Sequence, residues 1–331
     1  MTATYPRLVA DIGGTNARFA IERAPYELSD IAVLACADYD SPLSAVRAYL
    51  RDHRLTAPRH VAIAIATPIT GDRVRMTNCR WDFSIAALKM ALKAETLWVL
   101  NDFSAQALSI TQMPADALDH LGGPERDNPA PTRRANCAVI GAGTGLGVAG
   151  LVPDGRGDMV TVGGEGGHVT FSPYDAFERG LLEFSSSEFG GHVSVERLLQ
   201  GDGLTLMYRF LCAKQGVVAQ RQTPAQVSTG ALQDNDPIAI EVLSRYCAIL
   251  GGFCGDVALT LGAVGGLYVS GGIVPRFVEF VRQSDFQQRF EDKGRFAGYL
   301  SAIPIYVVKH PQPGLLGAAV ALQRHLNAET V

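Results

Sequence analysis

Asn101 and Asp102 are the first residues whose types and position could do chemistry. They end the apolar run 97–100, which is too short to be a helix by itself and predicts a buried strand. Ligand crevices in open α/β sheets lie at the carboxyl ends of strands, so Asp102 is a candidate catalytic base. The alternative is that the pair caps a helix over residues 103–108, with Asp102 accepting backbone N–H bonds. By themselves these residues favour the cap.

A glycine-rich turn near the N-terminus could bind a phosphate. A strand that begins at Arg7 and is apolar over 8–10 precedes it, and an apolar run at 19–21 follows it, which predicts a hairpin whose turn exposes backbone N–H groups as an anion nest. The residues of this first glycine turn that could contact phosphate are Gly13, Gly14, Thr15 and Asn16. Asp11, at the end of the first strand, is placed to hold a hydrated Mg²⁺ beside that phosphate. An ordinary hairpin with glycines at its turn is the alternative.

The same pattern recurs about 130 residues later. Residues 137–152 contain an apolar strand, a glycine-threonine turn and a second apolar strand, which predicts an internal duplication with two phosphate-binding turns facing each other across a cleft. The candidate contacts of this second glycine turn are Gly141, Ala142, Gly143 and Thr144. A GxGxxG match at 145–150 runs into a strand, whereas a dinucleotide-binding fingerprint must open a helix. There is no GxxxxGK[ST] and no GxSxG, which argues against P-loop and α/β-hydrolase enzymes.

Three further segments are candidates for binding. Glu165 and His168 stand in a loop with four glycines, which would present both side chains with little steric hindrance; an exposed loop without a function is the alternative. Glu196 lies in a predicted first helical turn, where the helix dipole favours a carboxylate, so a structural role is the simpler interpretation. Gly271 and Gly272 interrupt an apolar strand, and an adenine or ribose could lie on their backbone unless they only form a turn; a helix is expected to begin at Pro275.

The order of the elements predicts an α/β fold. Apolar strands alternate with segments of helical periodicity, which argues for sheets with helices on both faces. Residues 113–135 are rich in Pro, Asp and Gly and predict a connector at a domain boundary. The uncharged stretch 257–275 contains five glycines, so it predicts a helix end, a turn and a strand rather than a membrane span.

Composition narrows the class of protein. At 331 residues the chain is long enough for two domains, and it is 47% hydrophobic. Its net charge of −4, without a basic block, gives no electrostatic support for binding nucleic acid. Six cysteines without a CxxC pair indicate free thiols in a reducing compartment. The absence of an apolar leader before Asp11 predicts no signal peptide, hence a soluble cytoplasmic protein with no membrane partner.

Ten motifs, in this order, resemble those of the bacterial ATP-dependent glucokinases. That family belongs to the sugar-kinase branch of the actin/hexokinase/heat-shock-ATPase superfamily, and the likeness covers nearly the whole chain. The motifs are DIGGTNAR at 11–18, TPITGD at 67–72, MTNCRW at 76–81, LNDFSA at 100–105, GAGTGLG at 141–147, GGEGGH at 163–168, HVSVER at 192–197, SGGIVPRF at 270–277, FEDKGRF at 290–296 and PGLLGAA at 313–319.

The resemblance implies a fold and an activity. The fold would be α/β, with two duplicated RNase H-like (actin-like ATPase) domains, mixed sheets flanked by helices, and the active site in the interdomain cleft. A small domain would comprise 1–112 plus 313–331, with the C-terminal helix returning to it, and a large domain 113–312. The activity would be ATP-dependent phosphorylation of D-glucose at the 6-hydroxyl, giving glucose 6-phosphate and ADP, as the first step of glucose use in glycolysis. A homodimer is expected on the same ground.

The resemblance also implies roles for the candidate residues. Asp102 would be the general base. The sugar-binding residues would be Asn101, Asp102, Glu165, His168, Glu196, Thr77 and Asn78. The ATP-binding residues would be Asp11, Gly13, Gly14, Thr15, Asn16, Gly141, Ala142, Gly143, Thr144, Gly271 and Gly272. Mg²⁺ would be held mainly by the ATP phosphates, with Asp11 acting through water.

Two other classes of function are compatible with parts of this sequence. The related repressor/kinase family carries a Cys-rich zinc motif after its sugar-binding histidine; this chain lacks that motif, so no zinc is expected. A sugar-responsive regulator would need a DNA-binding segment or a damaged Asp102 position, and neither is seen. An ATPase of the same superfamily would lack the Glu165, His168 and Glu196 set.

Overall fold

A computed structural model describes residues 4–76 and 79–328 of the chain. The chain divides into two compact units. The first unit contains Met1–Pro114, Val160–Gly163 and His310–Val331, and the second contains Ala115–Met159 and Gly164–Lys309. The domain bounds predicted from the sequence instead place Val160–Gly163 in the large domain.

Strands and helices alternate along much of the chain, as the sequence predicts. The strands are β1 Arg7–Ile12, β2 Asn16–Ala24, β3 Glu27–Ala35, β4 His60–Ile65, β5 Arg73–Arg75, β6 Asp82–Ser84, β7 Thr96–Asn101, β8 Leu118–Gly122, β9 Cys137–Ala142, β10 Leu146–Pro153, β11 Met159–Gly164, β12 Gly266–Ser270 and β13 Ile305–Val308. The helices are α1 Pro42–Asp52, α2 Ile85–Leu92, α3 Asp102–Ser109, α4 Ala176–Glu188, α5 Val195–Leu199, α6 Gly201–Gln215, α7 Pro224–Leu232, α8 Pro237–Leu261, α9 Val278–Gln283, α10 Phe286–Glu291, α11 Ala297–Leu300 and α12 Pro313–Ala328.

The two main sheets repeat one strand order. The five-stranded sheet runs β3-β2-β1-β4-β7, and β1 is antiparallel to β2 but parallel to β4. The six-stranded sheet runs β11-β10-β9-β12-β13-β8, and β9 is likewise antiparallel to β10 but parallel to β12. Each sheet therefore contains a hairpin whose first strand also pairs in parallel with a later strand. The predicted α/β class with mixed sheets is confirmed, and the repeat places both glycine turns at hairpin tips.

Strand β1 shows why the first unit's central strands read as continuous apolar runs. Leu8 and Ile12 belong to a buried cluster that also contains residues of α1, such as Tyr49. Val9 points to the opposite face, where it joins a cluster with Leu315 of α12. Because successive side chains of a strand alternate between faces, burial on both faces removes the polar positions that would show alternation.

Helix α8 is the long core helix of the second unit. Asp236 caps its start by accepting the backbone N–H of Ile238 at 2.9 Å, and Gly262 ends it with a φ of 59°. The helix is long and apolar enough to cross a membrane by length and composition, but 72% of its most apolar window is buried inside the protein. The following strand begins at Gly266, so the predicted helix end, turn and strand are confirmed.

Two sequence-based expectations about elements are wrong. The segment 113–135 is not only a connector, because it contains β8, which is antiparallel to β13 at the edge of its sheet. An edge strand needs few apolar residues, and LDHLG has only two. The helix expected to begin at Pro275 begins instead at Val278, after a 3₁₀ turn over Val274–Arg276.

Candidate active site

Asn101 caps helix α3. Its Oδ1 accepts the backbone N–H groups of Phe103 at 3.0 Å and Ser104 at 3.1 Å. Asp102 is the first residue of the helix; its Oδ1 accepts the Nδ2 of Asn101 at 3.1 Å and the N–H of Phe103 at 2.9 Å. The cap is thus centred on the amide of Asn101, while the bonds from Asn101 and Phe103 hold one carboxylate oxygen of Asp102 in place. The geometry lets both interpretations of the pair stand together.

The first glycine turn, residues 13–16, is a tight turn between β1 and β2. The N–H of Gly13 donates to the carbonyl of Asn16 at 2.9 Å, and Thr15 is exposed at the tip. The carbonyl of Thr15 accepts the N–H of Cys36 at 2.8 Å, which ties the turn to the end of β3. The tip can therefore present backbone groups to a ligand while its base is held by the sheet.

Asp11 stands at the base of this turn. Its side chain is 19% exposed, and its Oδ2 lies 3.6 Å from Nη1 of Arg18, its partner in the hairpin register. A Cβ atom on Gly314, in the first turn of α12, would lie 2.5 Å from the carboxylate, so only glycine allows this approach. Burial raises the pKa of Asp11, and Arg18 opposes the rise. The helix N-terminus and Arg18 both favour the charged carboxylate.

The second glycine turn, residues 141–144, also lies at the tip of a hairpin, but its loop is one residue shorter than that of the first turn. The N–H of Gly143 donates to the carbonyl of Gly145 at 2.8 Å, and Thr144 is exposed at the tip. The carbonyl of Gly143 accepts the N–H of Gly201 at 2.9 Å, at the start of α6. The N–H of Leu146 donates to Oε2 of Glu196 at 2.9 Å. Two helices therefore brace this turn from the same unit.

Glu165, His168 and Glu196 come together as a Glu-His cluster in the second unit. Nδ1 of His168 lies 3.7 Å from Oε2 of Glu165, and Nε2 lies 3.5 Å from Oε1 of Glu196. The side chains of Glu165 and His168 are more than half exposed, whereas that of Glu196 is 18% exposed. The cluster thus presents two accessible polar groups above one anchored carboxylate.

The glycines beside this cluster have a packing reason. A Cβ atom on Gly167 would lie 1.9 Å from the carbonyl oxygen of Leu146, and one on Gly166 would lie 2.8 Å from the Cβ of Val148. The loop therefore rests directly on strand β10. Gly164 has no atom within 4 Å of its Cβ position. Gly166 and Gly167 are therefore needed for close packing, whereas Gly164 leaves open space. The sequence alone does not distinguish these two reasons for a glycine.

Gly271 and Gly272 differ in what they do. Gly271 has a φ of 90°, and its Cβ atom would lie 2.3 Å from the carbonyl oxygen of Ala142 in the second glycine turn. Gly272 is exposed and has no atom within 4 Å of its Cβ position. The structure therefore brings these two predicted ATP-binding segments into contact, and the open backbone on which a flat ring could lie is that of Gly272.

Comparison with known proteins finds relatives along nearly the whole chain. A family model described as glucokinase matches residues 8–325. The glucokinase of Neisseria meningitidis (serogroup C, serotype 2a) is 50% identical over 324 residues, covering 98% of this chain and 97% of that protein. The crystal structure of a glucokinase from an Antarctic psychrotroph superimposes with a TM-score of 0.83 at 33% identity, covering 97% of this chain and 100% of that one. The chain belongs to the glucokinase family. It is a hexose kinase with the actin-like ATPase fold, as the sequence motifs predict.

A more distant structural match shows the same fold. The glucokinase of Balamuthia mandrillaris, solved in complex with glucose, has a TM-score of 0.81 at 20% identity and covers 96% of this chain and 93% of that one. Thr77 and Asn78, which the resemblance assigns to sugar binding, lie outside the described residues. Within residues 4–76 and 79–328, no group of three or more His, Cys, Asp or Glu side chains is arranged to hold a metal ion.

Two contacts of this glucokinase-family site were missed from the sequence. Arg18 faces Asp11 because the hairpin pairs them, and the register of a tight turn could have revealed this. The bond from Leu146 to Glu196 joins residues 50 positions apart, and no local pattern signals it. A first-turn carboxylate is common on structural grounds alone.

Proposed function

We propose that this member of the glucokinase family transfers the γ-phosphoryl group of ATP to the 6-hydroxyl of D-glucose, giving glucose 6-phosphate and ADP. The observation that carries the proposal is the pair of contacts made by Glu196. One of its oxygens accepts the N–H of Leu146 beside the second glycine turn, and the other lies 3.5 Å from His168. A predicted phosphate-binding turn and a predicted sugar-binding cluster thus share one anchored side chain.

The cluster suits a neutral polyol. Carboxylates accept hydrogen bonds from hydroxyl groups, and a charged acceptor makes those bonds stronger than a neutral one. Glu165 and His168 are accessible, so their oxygens and ring nitrogens can pair with sugar hydroxyls. We propose that Glu165, His168 and Glu196 bind glucose, together with Asn101, Thr77 and Asn78.

Asp102 is the proposed general base. Phosphoryl transfer needs positioning and charge neutralisation more than covalent chemistry, and the attacking hydroxyl must lose its proton as the new P–O bond forms. A carboxylate held by Asn101 and by the N–H of Phe103 has little orientational freedom, which supports this role. The proton of the 6-hydroxyl would pass to Asp102.

The two glycine turns are the proposed phosphate sites. Both expose a threonine at the tip and hold the base of the turn by backbone bonds, which supports a fixed turn whose backbone N–H groups can bind an anion. The ATP contacts would come from Gly13, Gly14, Thr15, Asn16, Gly141, Ala142, Gly143 and Thr144, with Gly271 and Gly272 near the adenosine.

Asp11 fits a role beside Mg²⁺. Magnesium bound to nucleotides keeps several waters and needs only one or two protein carboxylates. Asp11 is a single carboxylate whose charge is balanced by Arg18 and by the N-terminal turn of α12, so it can accept hydrogen bonds from waters of the ion. When bound, Mg²⁺ would neutralise phosphate charge. Asp11 itself would orient the hydrated ion next to the first glycine turn.

A coupled assay for ADP release, with and without glucose, tests the proposal. A glucose kinase releases ADP only when glucose is present, because its closed active site excludes the water that would otherwise act as the nucleophile. ADP release at the same rate without glucose would instead indicate an ATPase of this superfamily. If no ADP is released in the presence or in the absence of glucose, a sugar-binding regulator is favoured. Sedimentation analysis of the pure protein tests the expected homodimer, and fractionation tests the cytoplasmic location.

A further inference from the structure

Cys36 and Cys79 place two thiols next to each other in the first unit, outside the roles proposed above. Cys36 is buried at the end of β3, and Cys79 is partly exposed. Cys36 belongs to the buried cluster that contains Tyr49, and Cys79 packs against the same cluster. Burial raises the pKa of Cys36 to about 11, and the neighbouring Cys79 adds to that rise. Both residues are free thiols in this structure, as are the four other cysteines.

Hydrogen bonds between the neighbours of these cysteines hold the two segments together. Nη2 of Arg80 donates to the carbonyl of Ala37 at 3.2 Å and to Oδ1 of Asp40 at 2.9 Å. Nε1 of the fully buried Trp81 donates to the carbonyl of Tyr39 at 2.8 Å. The proximity of the two thiols is therefore built into the packing of the unit rather than left to two mobile side chains.

Cys36 is also hydrogen-bonded to the first glycine turn. Its N–H donates to the carbonyl of Thr15 at 2.8 Å, and its Sγ donates to the carbonyl of Gly13 at 3.5 Å. Cys79 directly follows the proposed sugar-binding residue Asn78 in the sequence. A covalent link between the two cysteines would therefore join a segment that holds the phosphate turn to a segment that continues from the sugar-binding motif.

We propose that Cys36 and Cys79 form a reversible intramolecular disulfide under oxidising conditions, and that this disulfide switches the enzyme off. The inactivation rests on the proposed function, whereas the disulfide itself rests only on the placement of the thiols. Such cytosolic disulfides are typically transient and redox-sensing.

A hydroperoxide would supply the oxidising equivalents. The accessible sulfur of Cys79 attacks one peroxide oxygen, the O–O bond breaks, and Cys79 becomes a sulfenic acid while water or an alcohol leaves. The sulfur of Cys36 then attacks the Cys79 sulfur; the S–S bond forms, the S–O bond breaks, and the hydroxide takes the Cys36 proton as water. The two thiols lose two electrons and two protons, which the peroxide and its products gain. Cys36 is buried and protonated, so the first step belongs to Cys79.

Bond formation would displace the glycine turn. A disulfide is about 2.05 Å long, which is shorter than any non-bonded contact between two sulfur atoms. In the proposed switch, closing to that distance moves Cys36, and with it the carbonyls of Gly13 and Thr15 that it hydrogen-bonds. A misplacement of about 1 Å at a positioning group costs on the order of 10²-fold in rate.

The test uses the whole protein with hydrogen peroxide as the probe. Denatured wild-type protein should titrate six thiols before treatment and two fewer after it, and peptide mapping should find Cys36 linked to Cys79. Turnover should fall by about 10²-fold and return on reduction with dithiothreitol. Cys79→Ser should abolish the link and the reversible loss, and Cys36→Ser should do the same if that buried substitution folds. Cys212→Ser, which removes a buried thiol of the second unit, is the matched control and should behave as wild type.

The outcomes separate the two proposals. Absence of the Cys36–Cys79 peptide after oxidation overturns the disulfide, whatever happens to activity. A linked peptide with unchanged turnover overturns the switch. A reduced protein that transfers no phosphoryl group to glucose refutes the proposed function, and the peptide map then still decides the disulfide.

Discussion

Replacing Glu196 by alanine and by glutamine separates its two contacts. Oε2 accepts the buried N–H of Leu146 at 2.9 Å, and Oε1 lies 3.5 Å from Nε2 of His168. Glu196→Ala removes both contacts. Glu196→Gln keeps a carbonyl oxygen that can accept from Leu146, but it replaces the charged acceptor offered to the sugar.

The magnitudes follow from these contacts. Leaving a buried donor unsatisfied costs about 1–3 kcal/mol, so Glu196→Ala should lower the free energy of unfolding by that amount. Glu196→Gln should lower it much less. A hydrogen bond to a charged group contributes about 1.5–3 kcal/mol, so both variants should raise the KM for glucose by about 10- to 150-fold.

Two measurements on each variant give these quantities. Urea unfolding gives the free energy of unfolding, and a coupled assay for glucose 6-phosphate gives the KM and kcat. Glu188→Gln is the matched control, because Glu188 pairs with Arg209 at 2.6 Å on the surface of the same unit. It should change neither quantity.

Three results would contradict these expected effects of replacing Glu196. If Glu196→Ala is as stable as wild type, the bond from Leu146 does not brace the second glycine turn. If Glu196→Gln binds glucose as wild type does, the charge of Glu196 takes no part in sugar recognition. A fall in kcat at constant KM would show that Glu196 acts only in the transition state.

Three further predictions concern single residues. Asp102→Ala should lower kcat by roughly 10²–10⁴ while the KM for glucose changes much less, because a base acts in the transition state. The pKa of Asp11 is raised above 3.8 by burial, so the folded protein holds this proton more tightly than the unfolded chain, and stability falls as pH rises from 3.8 through the raised value. Asp11→Asn should remove that loss and leave the protein more stable at neutral pH but weakly active. Gly167→Ala should lower the free energy of unfolding by about 1–3 kcal/mol or more, because its Cβ would lie 1.9 Å from the carbonyl of Leu146. Gly164→Ala, with open space, is its control.

Each of these has a result that contradicts it. Near-normal turnover of Asp102→Ala would refute the assignment of the base. Urea unfolding between pH 4 and 7 should show a smaller pH dependence in Asp11→Asn than in wild type, and an equal dependence would refute the burial argument. Equal stabilities of Gly167→Ala and Gly164→Ala would show that the loop over β10 can relax.

Local patterns account for what could be predicted of the fold. The hairpin around the first glycine turn and its repeat at 137–152 are set by apolar runs and by glycines within a few residues of each other. Local signals also determine the extent of helix α8: its apolar periodicity, Pro237 after the capping Asp236, and Gly262 at its end. Strand β8 was not predicted, because it is stabilised by pairing with β13, which lies far along the chain, rather than by its own five residues.

The sequence by itself determined the family, through the order of ten motifs, and it determined which side chains are candidates. It left the relation between Asn101 and Asp102 open, because both can cap a helix. Only the tertiary structure decided that the amide of Asn101 takes the two N–H bonds of the cap. Only it showed that Glu196 reaches Leu146 and that Gly167 rests on the same residue. The last two contacts join residues 50 and 21 positions apart, and such contacts depend on how strands and helices pack rather than on any local preference.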